Sequence, residues 1–120
     1  MGFTNVKVRI SNPTDLTKLR DIELLVDSGA LFTAIPRTLL EELALEPIAR
    51  RRLKVFGGAI IVERDTGVIV IEYDAARAGV PVVFGEKEEL PILGVTALES
   101  LGYQLDPVTK KLKPVELLMI

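Results

Sequence analysis

Val6, Val8 and Ile10 alternate with Lys7 and Arg9, the period of two that marks a half-buried strand. Ser11-Asn12-Pro13-Thr14-Asp15 is a cluster of turn formers. A second strand is predicted from Leu19 to Val26. It closes on the apolar run Leu24-Leu25-Val26, as a strand covered on both faces does, and Asp27-Ser28-Gly29-Ala30 follows directly. Phe32-Thr33-Ala34-Ile35 reads as a short β segment. Pro36 opens a helical turn over Arg37 to Leu45, with Leu39, Leu40 and Leu43 on one side.

Further along, Arg52 to Phe56 and Ala59 to Val62 flank Gly57-Gly58, which predicts a hairpin with a two-residue turn. Asp65-Thr66-Gly67 reads as another turn, leading into a strand from Val68 to Ile71. Ala76 to Gly79 reads as a loop and Val80 to Phe84 as a strand. After Pro91-Ile92-Leu93-Gly94 a helical pattern covers Val95 to Leu101, and Gly102 stands where a helix C′ glycine belongs. Tyr103 to Leu105 and Lys111 to Lys113 bracket Asp106-Pro107-Val108-Thr109 as a second hairpin. No linker or internal repeat interrupts this. The expectation is an all-β, barrel-like fold with one or two short helices, as a single domain over residues 1–120.

Composition narrows the chemistry. Fifteen basic and 17 acidic residues give a formal net charge of -2, so no excess positive charge exists to neutralise phosphates, and no nucleic-acid partner is expected. The local exception, Arg50-Arg51-Arg52 with Lys54, reads either as an anion contact or as a solvated strand face. Cysteine and histidine are both absent. Thiol and histidine-based nucleophilic catalysis are thereby excluded, as are most zinc sites. No metal or cofactor is expected. Any catalysis must rest on carboxylates, hydroxyls, lysine or backbone groups. Met1 to Lys7 lacks the apolar core of a signal peptide, and Val6 occupies the position where myristoylation needs Ser or Thr. No apolar stretch approaches membrane-spanning length. The expectation is a cytoplasmic protein without a membrane partner.

Asp27 is the residue with two readings. Asp, Ser and Gly are turn formers, so Asp27-Ser28-Gly29 is an ordinary turn by one of them. By the other, the carboxylate is partly buried at a strand end beside something that tolerates it. The order of features along the chain bears on the choice. An apolar-apolar-Asp-Ser-Gly-Ala run comes first, then the glycine-tipped hairpin at Gly57-Gly58, then Ile92-Leu93-Gly94 leading into a helix.

This order resembles the retropepsin-like, or retroviral-type, aspartic proteases, over nearly the whole chain from Val6 to Leu112. The run from Val82 through Gly102 is most similar to the cellular, prokaryotic members. The resemblance implies a closed β-barrel of the acid-protease type. It implies that Asp27, Ser28 and Gly29 form the catalytic triplet and that the Gly57-Gly58 hairpin is a mobile flap. Thr is the commoner middle residue of that triplet, so Ser28 departs from the usual pattern in a permitted way. Its hydroxyl would turn away from substrate and brace the opposing loop.

Amide hydrolysis by this route needs two carboxyls in different roles, one accepting a proton from water and one donating toward the amide. The chain carries one triplet, so the resemblance implies a C2 homodimer in which Asp27 meets its own copy. Gly29 permits close backbone approach and offers an N–H to the carboxylates. Ala30 leaves room for an extended peptide, the expected substrate. Phe56, Gly57, Gly58, Ala59 and Ile60 would cover a bound side chain. Val82, Val83, Phe84 and Ile92 line pockets or are plain core. Asp65, Asp74 and Asp106 stand in turn contexts and are expected to be solvated. The terminal run Val115 to Ile120 is too apolar to be left in water and is expected at the dimer interface. Two other readings stay open, a non-catalytic module that binds extended peptide and a β-rich assembly domain.

Overall fold

The computed structural model describes every residue except Met1, Gly2, Leu118 and Ile120, and the backbone but not the side chain of Phe56. Strand β1 (Asn5–Asn12) buries Val6, Val8 and Ile10 and exposes the residues between them. It pairs antiparallel with β2 (Asp15–Val26), from Asn5 opposite Leu25 to Ser11 opposite Leu19. β2 starts four residues earlier than the apolar pattern predicts. Its first half is solvated on both faces, so the pairing with β1, not burial, holds it extended.

Asn12 fixes the turn between them. Its buried amide donates to the carbonyl oxygens of Leu43 (2.9 Å) and Ala44 (3.3 Å), and its oxygen accepts the Thr14 N–H (2.9 Å). This ties the hairpin turn to the end of α1 (Arg37–Glu42), which follows β3 (Thr33–Pro36).

β4 (Ala49–Val55) and the first half of β5 (Ile60–Tyr73) form the glycine-tipped hairpin, with Val55 opposite Ile60. The connection is a four-residue loop, Phe56 to Ala59, rather than the two-residue turn expected. Gly57 (φ 66°) and Gly58 (φ 92°) occupy the left-handed region there. The expected kind of tight turn occurs instead at Asp74-Ala75, where Tyr73 pairs with Ala76 and both central residues have positive φ (46° and 72°). So Ala76 to Gly79 is not a loop but the start of β6 (Ala76–Gly85).

Asp65-Thr66-Gly67 is likewise not a turn. Thr66 pairs with Ala49 of β4 on one side and Val83 of β6 on the other, so β5 runs straight through while exchanging partners. Gly67 fits closely there: a Cβ would lie 3.2 Å from both the Phe84 ring and the Glu46 carbonyl oxygen, a tight contact.

β7 (Ile92–Leu93) lies between β2 and β3, parallel to the first (Val26 opposite Leu93) and antiparallel to the second (Ala34 opposite Ile92). β3 runs parallel to β6, and β5 pairs with both β6 and, through Val70 to Glu72, β1. The ladder therefore closes into a ring, β1-β2-β7-β3-β6-β5, with β4 appended to β5. The fold is mostly β, and its core of Ile10, Leu24, Ile35, Ile69, Ile71 and Leu93 is fully enclosed by that ring and the helices. α2 (Val95–Leu101) buries Ala97, Leu98 and Leu101 and ends at Gly102 in the left-handed conformation, as its sequence predicts. β8 (Tyr103–Leu105) and β9 (Leu112–Pro114) form the second hairpin. Among the described residues no helix is long and apolar enough to cross a membrane.

Candidate functional site

The Asp27 segment is held from three sides. The Val26 N–H donates to the Thr4 carbonyl oxygen (2.8 Å) and the Asp27 N–H to the Leu93 carbonyl oxygen (3.0 Å), which extends the β2–β7 pairing one step past the strand end. The chain then turns. The Asp27 carboxylate accepts the Gly29 N–H (2.9 Å), and the Asp27 carbonyl oxygen accepts the Ala30 N–H (3.1 Å). On the far side the Ala30 and Leu31 carbonyl oxygens accept the N–H groups of Val95 (2.8 Å) and Thr96 (3.0 Å), in the first turn of α2.

Gly94 makes that docking possible. A Cβ at this position would lie 2.4 Å from the Phe32 carbonyl carbon and 2.8 Å from the Thr33 nitrogen, where no side chain fits. Its N–H donates to the buried Thr33 hydroxyl (3.1 Å). Thus Asp27-Ser28-Gly29, β3, β7 and the start of α2 are one interlocked unit.

An open cleft of about 490 Å³ lies beside this unit. Gly29 and Ala30 form one part of its lining, Ala34, Val83 and Ile92 another, and Leu53, Val55 and Val62 of the β4–β5 hairpin a third. Segments far apart in the sequence therefore share one cleft: Gly29 and Ala30 after Asp27, the strands of the glycine-tipped hairpin below its tip, and Ile92 before Gly94, while Asp27, Gly57, Gly58 and Leu93 are not part of its lining. Asp27 is half-buried. Ser28 lines a different depression, with Val95, Leu98, Tyr103 and Leu105. Gly57, Gly58, Ala59 and Ile60 are exposed at the hairpin tip, and the Phe56 side chain lies outside the described residues.

Phe84 does not join the cleft. It is 1% exposed and packs in the core with the Arg37 guanidinium 5.0 Å over its ring. Val82 is also core, whereas Val83, on the opposite face of β6, lines the cleft. Asp65 is not a solvated turn residue either. It is paired to Arg37 and, at 3.1 Å, to Arg50. Their hydrogen bonds, Arg37 first, hold its carboxyl below the ordinary aspartate range. Asp74 and Asp106 do stand in turns, where Asp106 accepts the N–H groups of Val108 (2.8 Å) and Thr109 (3.3 Å).

The cleft also contains charged residues: Arg51, Arg52 and Lys54 from the basic run that reads in sequence as an anion contact or a solvated face, and Arg64 and Glu89, which the sequence pattern did not single out. Arg51 and Arg64 lie directly opposite each other on the β4–β5 ladder, and both line the cleft. Like charges in that position repel. Arg64 is compensated by Glu89, which receives two hydrogen bonds from the guanidinium (3.1 and 3.3 Å). Burial pushes the Glu89 carboxyl up. The Arg64 hydrogen bond, the Glu86 N–H and the Arg64 charge outweigh it, so the group lies below the ordinary glutamate range. Arg51 stacks instead over the Phe32 ring, 5.4 Å from its centroid. A signal for this pair was present: centring the hairpin on Gly57-Gly58 sets Val55 opposite Ile60 and therefore Arg51 opposite Arg64. Among the described residues no group of three or more acidic side chains is placed to hold a metal ion.

Neither the protein-family models nor the curated proteins include a match to this sequence.

Proposed function

We propose that the chain is an aspartic endopeptidase of the retropepsin-like type, acting as a C2 homodimer on extended peptide. The observation that carries this reading is that Gly29 and Ala30 of the loop after Asp27, the strands of the glycine-tipped hairpin and Ile92 line a single cleft. The closed ring of strands is taken, in this proposal, as the acid-protease barrel. Exposed apolar Leu117 (64%) and Met119 (93%) beyond β9 are consistent with a terminus that packs against a second copy. Residence in the cytoplasm belongs to the same proposal.

The chemistry follows from pairing two copies of Asp27. Two carboxyls brought to about 3 Å cannot both ionise, so they share one proton. The ionised member takes a proton from a bound water, which attacks the scissile carbonyl carbon. The protonated member donates to the carbonyl oxygen as it gains charge, and collapse of the tetrahedral species sends a proton to the leaving amine. The Gly29 N–H, already directed at Asp27, helps to hold the charged form. The hairpin closes over the peptide and excludes water.

The reading is tested with an unstructured peptide and the variant Asp27→Asn, which keeps the shape and the Gly29 hydrogen bond and removes the acid. Turnover should vanish while the dimer persists in sedimentation. Wild-type activity should trace a bell with an acidic to mildly acidic optimum, since the dyad must hold one proton. It should resist chelators and yield to a statine-like transition-state analogue. Retained cleavage in Asp27→Asn, or a rate rising steadily into alkaline pH, would refute it.

One observation favours a second reading. Asp27 already accepts a hydrogen bond from Gly29 within its own chain, as a purely structural turn residue does. On that reading the cleft binds peptide without cutting it, and Asp27→Asn changes peptide affinity little.

A further inference from the structure

The cleft wall is cationic although the whole chain carries a formal charge of -2. Arg51 and Arg64 face the cleft side by side on adjacent strands, and the one carboxylate among its described lining residues is that of Glu89, which Arg64 occupies. Arg51 is left without a carboxylate at salt-bridge distance among the described residues, as are Arg52 and Lys54 of the same lining, but Arg51 alone of the three shares the hairpin face of Leu53, Val55 and Arg64 and stacks on Phe32. Its neighbour Arg50, on the other face of β4, takes both Glu63 (3.7 Å) and Asp65 (3.1 Å). Arg51 is exposed, lines the cleft and is held over the Phe32 ring, so its donors face solvent and are open to an acceptor brought by a ligand. The planar guanidinium presents a fork of donors matched to a carboxylate.

We propose that Arg51 is a specificity residue that receives a carboxylate of the bound peptide. The preferred ligand is an extended peptide bearing Asp or Glu near one end of the segment that lies along β4 and β5. The inference rests on the reading of this cleft as a peptide site and does not require that the peptide be cut. Leu53, Val55 and Val62 on the same hairpin face supply apolar contact to the neighbouring side chains. The selected sequence is therefore an acidic residue flanked by apolar ones. Phe32 stacking restricts the guanidinium in advance, so less freedom is lost when the carboxylate arrives.

The test uses Asp27→Asn protein, so that cleavage does not blur binding, and fluorescein-labelled unstructured peptides. These carry Glu, Gln or Lys at each position in turn, and each is made with an amidated and with a free C-terminus. Anisotropy should show one position where Glu binds roughly tenfold tighter than Gln and Lys weakest, with the gap narrowing as salt rises. A second substitution, Arg51→Met, should erase the gap between the Glu and Gln peptides. Arg51→Met relieves the repulsion with Arg64, so loss of folding is not expected. The remote control Arg77→Met should preserve the gap.

A preference present in the amidated series assigns the carboxylate to a side chain. Tighter binding of the free-terminus peptides than of the amidated ones, with Glu and Gln equal, assigns it to the peptide end and overturns the preference for an acidic side chain. Equal binding of Glu and Gln peptides overturns the proposal, as does a gap that survives Arg51→Met. The two readings fail separately. Acidic preference without cleavage of any peptide by wild-type protein removes the endopeptidase and keeps this subsite. Cleavage that is indifferent to acidic residues removes the subsite and keeps the endopeptidase.

Discussion

Substituting Gly94 by alanine tests whether the candidate site is held by backbone packing. The added methyl would meet the Phe32 carbonyl carbon at 2.4 Å, its oxygen at 2.5 Å and the Thr33 nitrogen at 2.8 Å, all of them main-chain atoms. Ordinary carbon contacts need about 3.5 Å or more, so the two segments must separate by roughly 1 Å. The start of β3 and the loop that docks on α2 cannot move that far and keep the bonds from Val95 to Ala30 and from Thr96 to Leu31. Overpacking costs about 1–3 kcal/mol, and two lost hydrogen bonds add about 1 kcal/mol each. The expected destabilisation is about 3–5 kcal/mol, a large share of the roughly 5–15 kcal/mol typical of a domain. With an unfolding entropy of about 2.1 cal/mol/K per residue, the melting temperature should fall by roughly 12–20 °C. The matched control is Gly79→Ala, where nothing lies within 4 Å and φ is not positive; it should be neutral or gain up to about 1 kcal/mol. Thermal and urea unfolding followed by circular dichroism reads both. A Gly94→Ala protein melting within about 2 °C of wild type would show that the Phe32–Gly94 approach is not tight, and the account of how the Asp27 loop is positioned would fail with it.

Thr33→Val keeps volume but leaves the buried Gly94 N–H without its acceptor, and should lower the urea midpoint by about 1–3 kcal/mol equivalent at an unchanged slope. Acid should destabilise the protein through Asp65 and Glu89. Both are held below their ordinary values, so the stability they confer is complete above about pH 4–5. It is lost as pH falls through the lowered folded-state values, and melts across that range should flatten in Asp65→Asn and in Glu89→Gln. Gly58→Val forces a β-branched residue to φ 92° in an exposed loop; a melting shift of a few degrees with peptide turnover reduced by roughly tenfold or more marks a moving cover, whereas proportionate losses mark a plain turn.

Local pattern was enough for β1, whose alternation survives intact, and for α2, whose apolar face and terminal Gly102 are both written in a few adjacent residues. The hairpin register around Gly57-Gly58 was legible too, although the loop length was not, because two glycines permit positive φ in either a two-residue or a four-residue connection. Position 84 could not be assigned from sequence. Val82, Val83 and Phe84 are all buried, although Val83 lines the cleft while the other two lie in the core, and a run without an exposed residue has no readable phase. Asp65-Thr66-Gly67 has turn composition, yet it stays extended because β4 and β6 meet β5 on either side of Thr66 and the Phe84 ring occupies the space beside Gly67. Asp27 shows the division most clearly. Its place at a strand end follows from Leu24-Leu25-Val26 alone. Its place beside a cleft depends on β7 lying between β2 and β3 and on Gly94 letting α2 approach, and those pairings join residues some sixty positions apart in the chain.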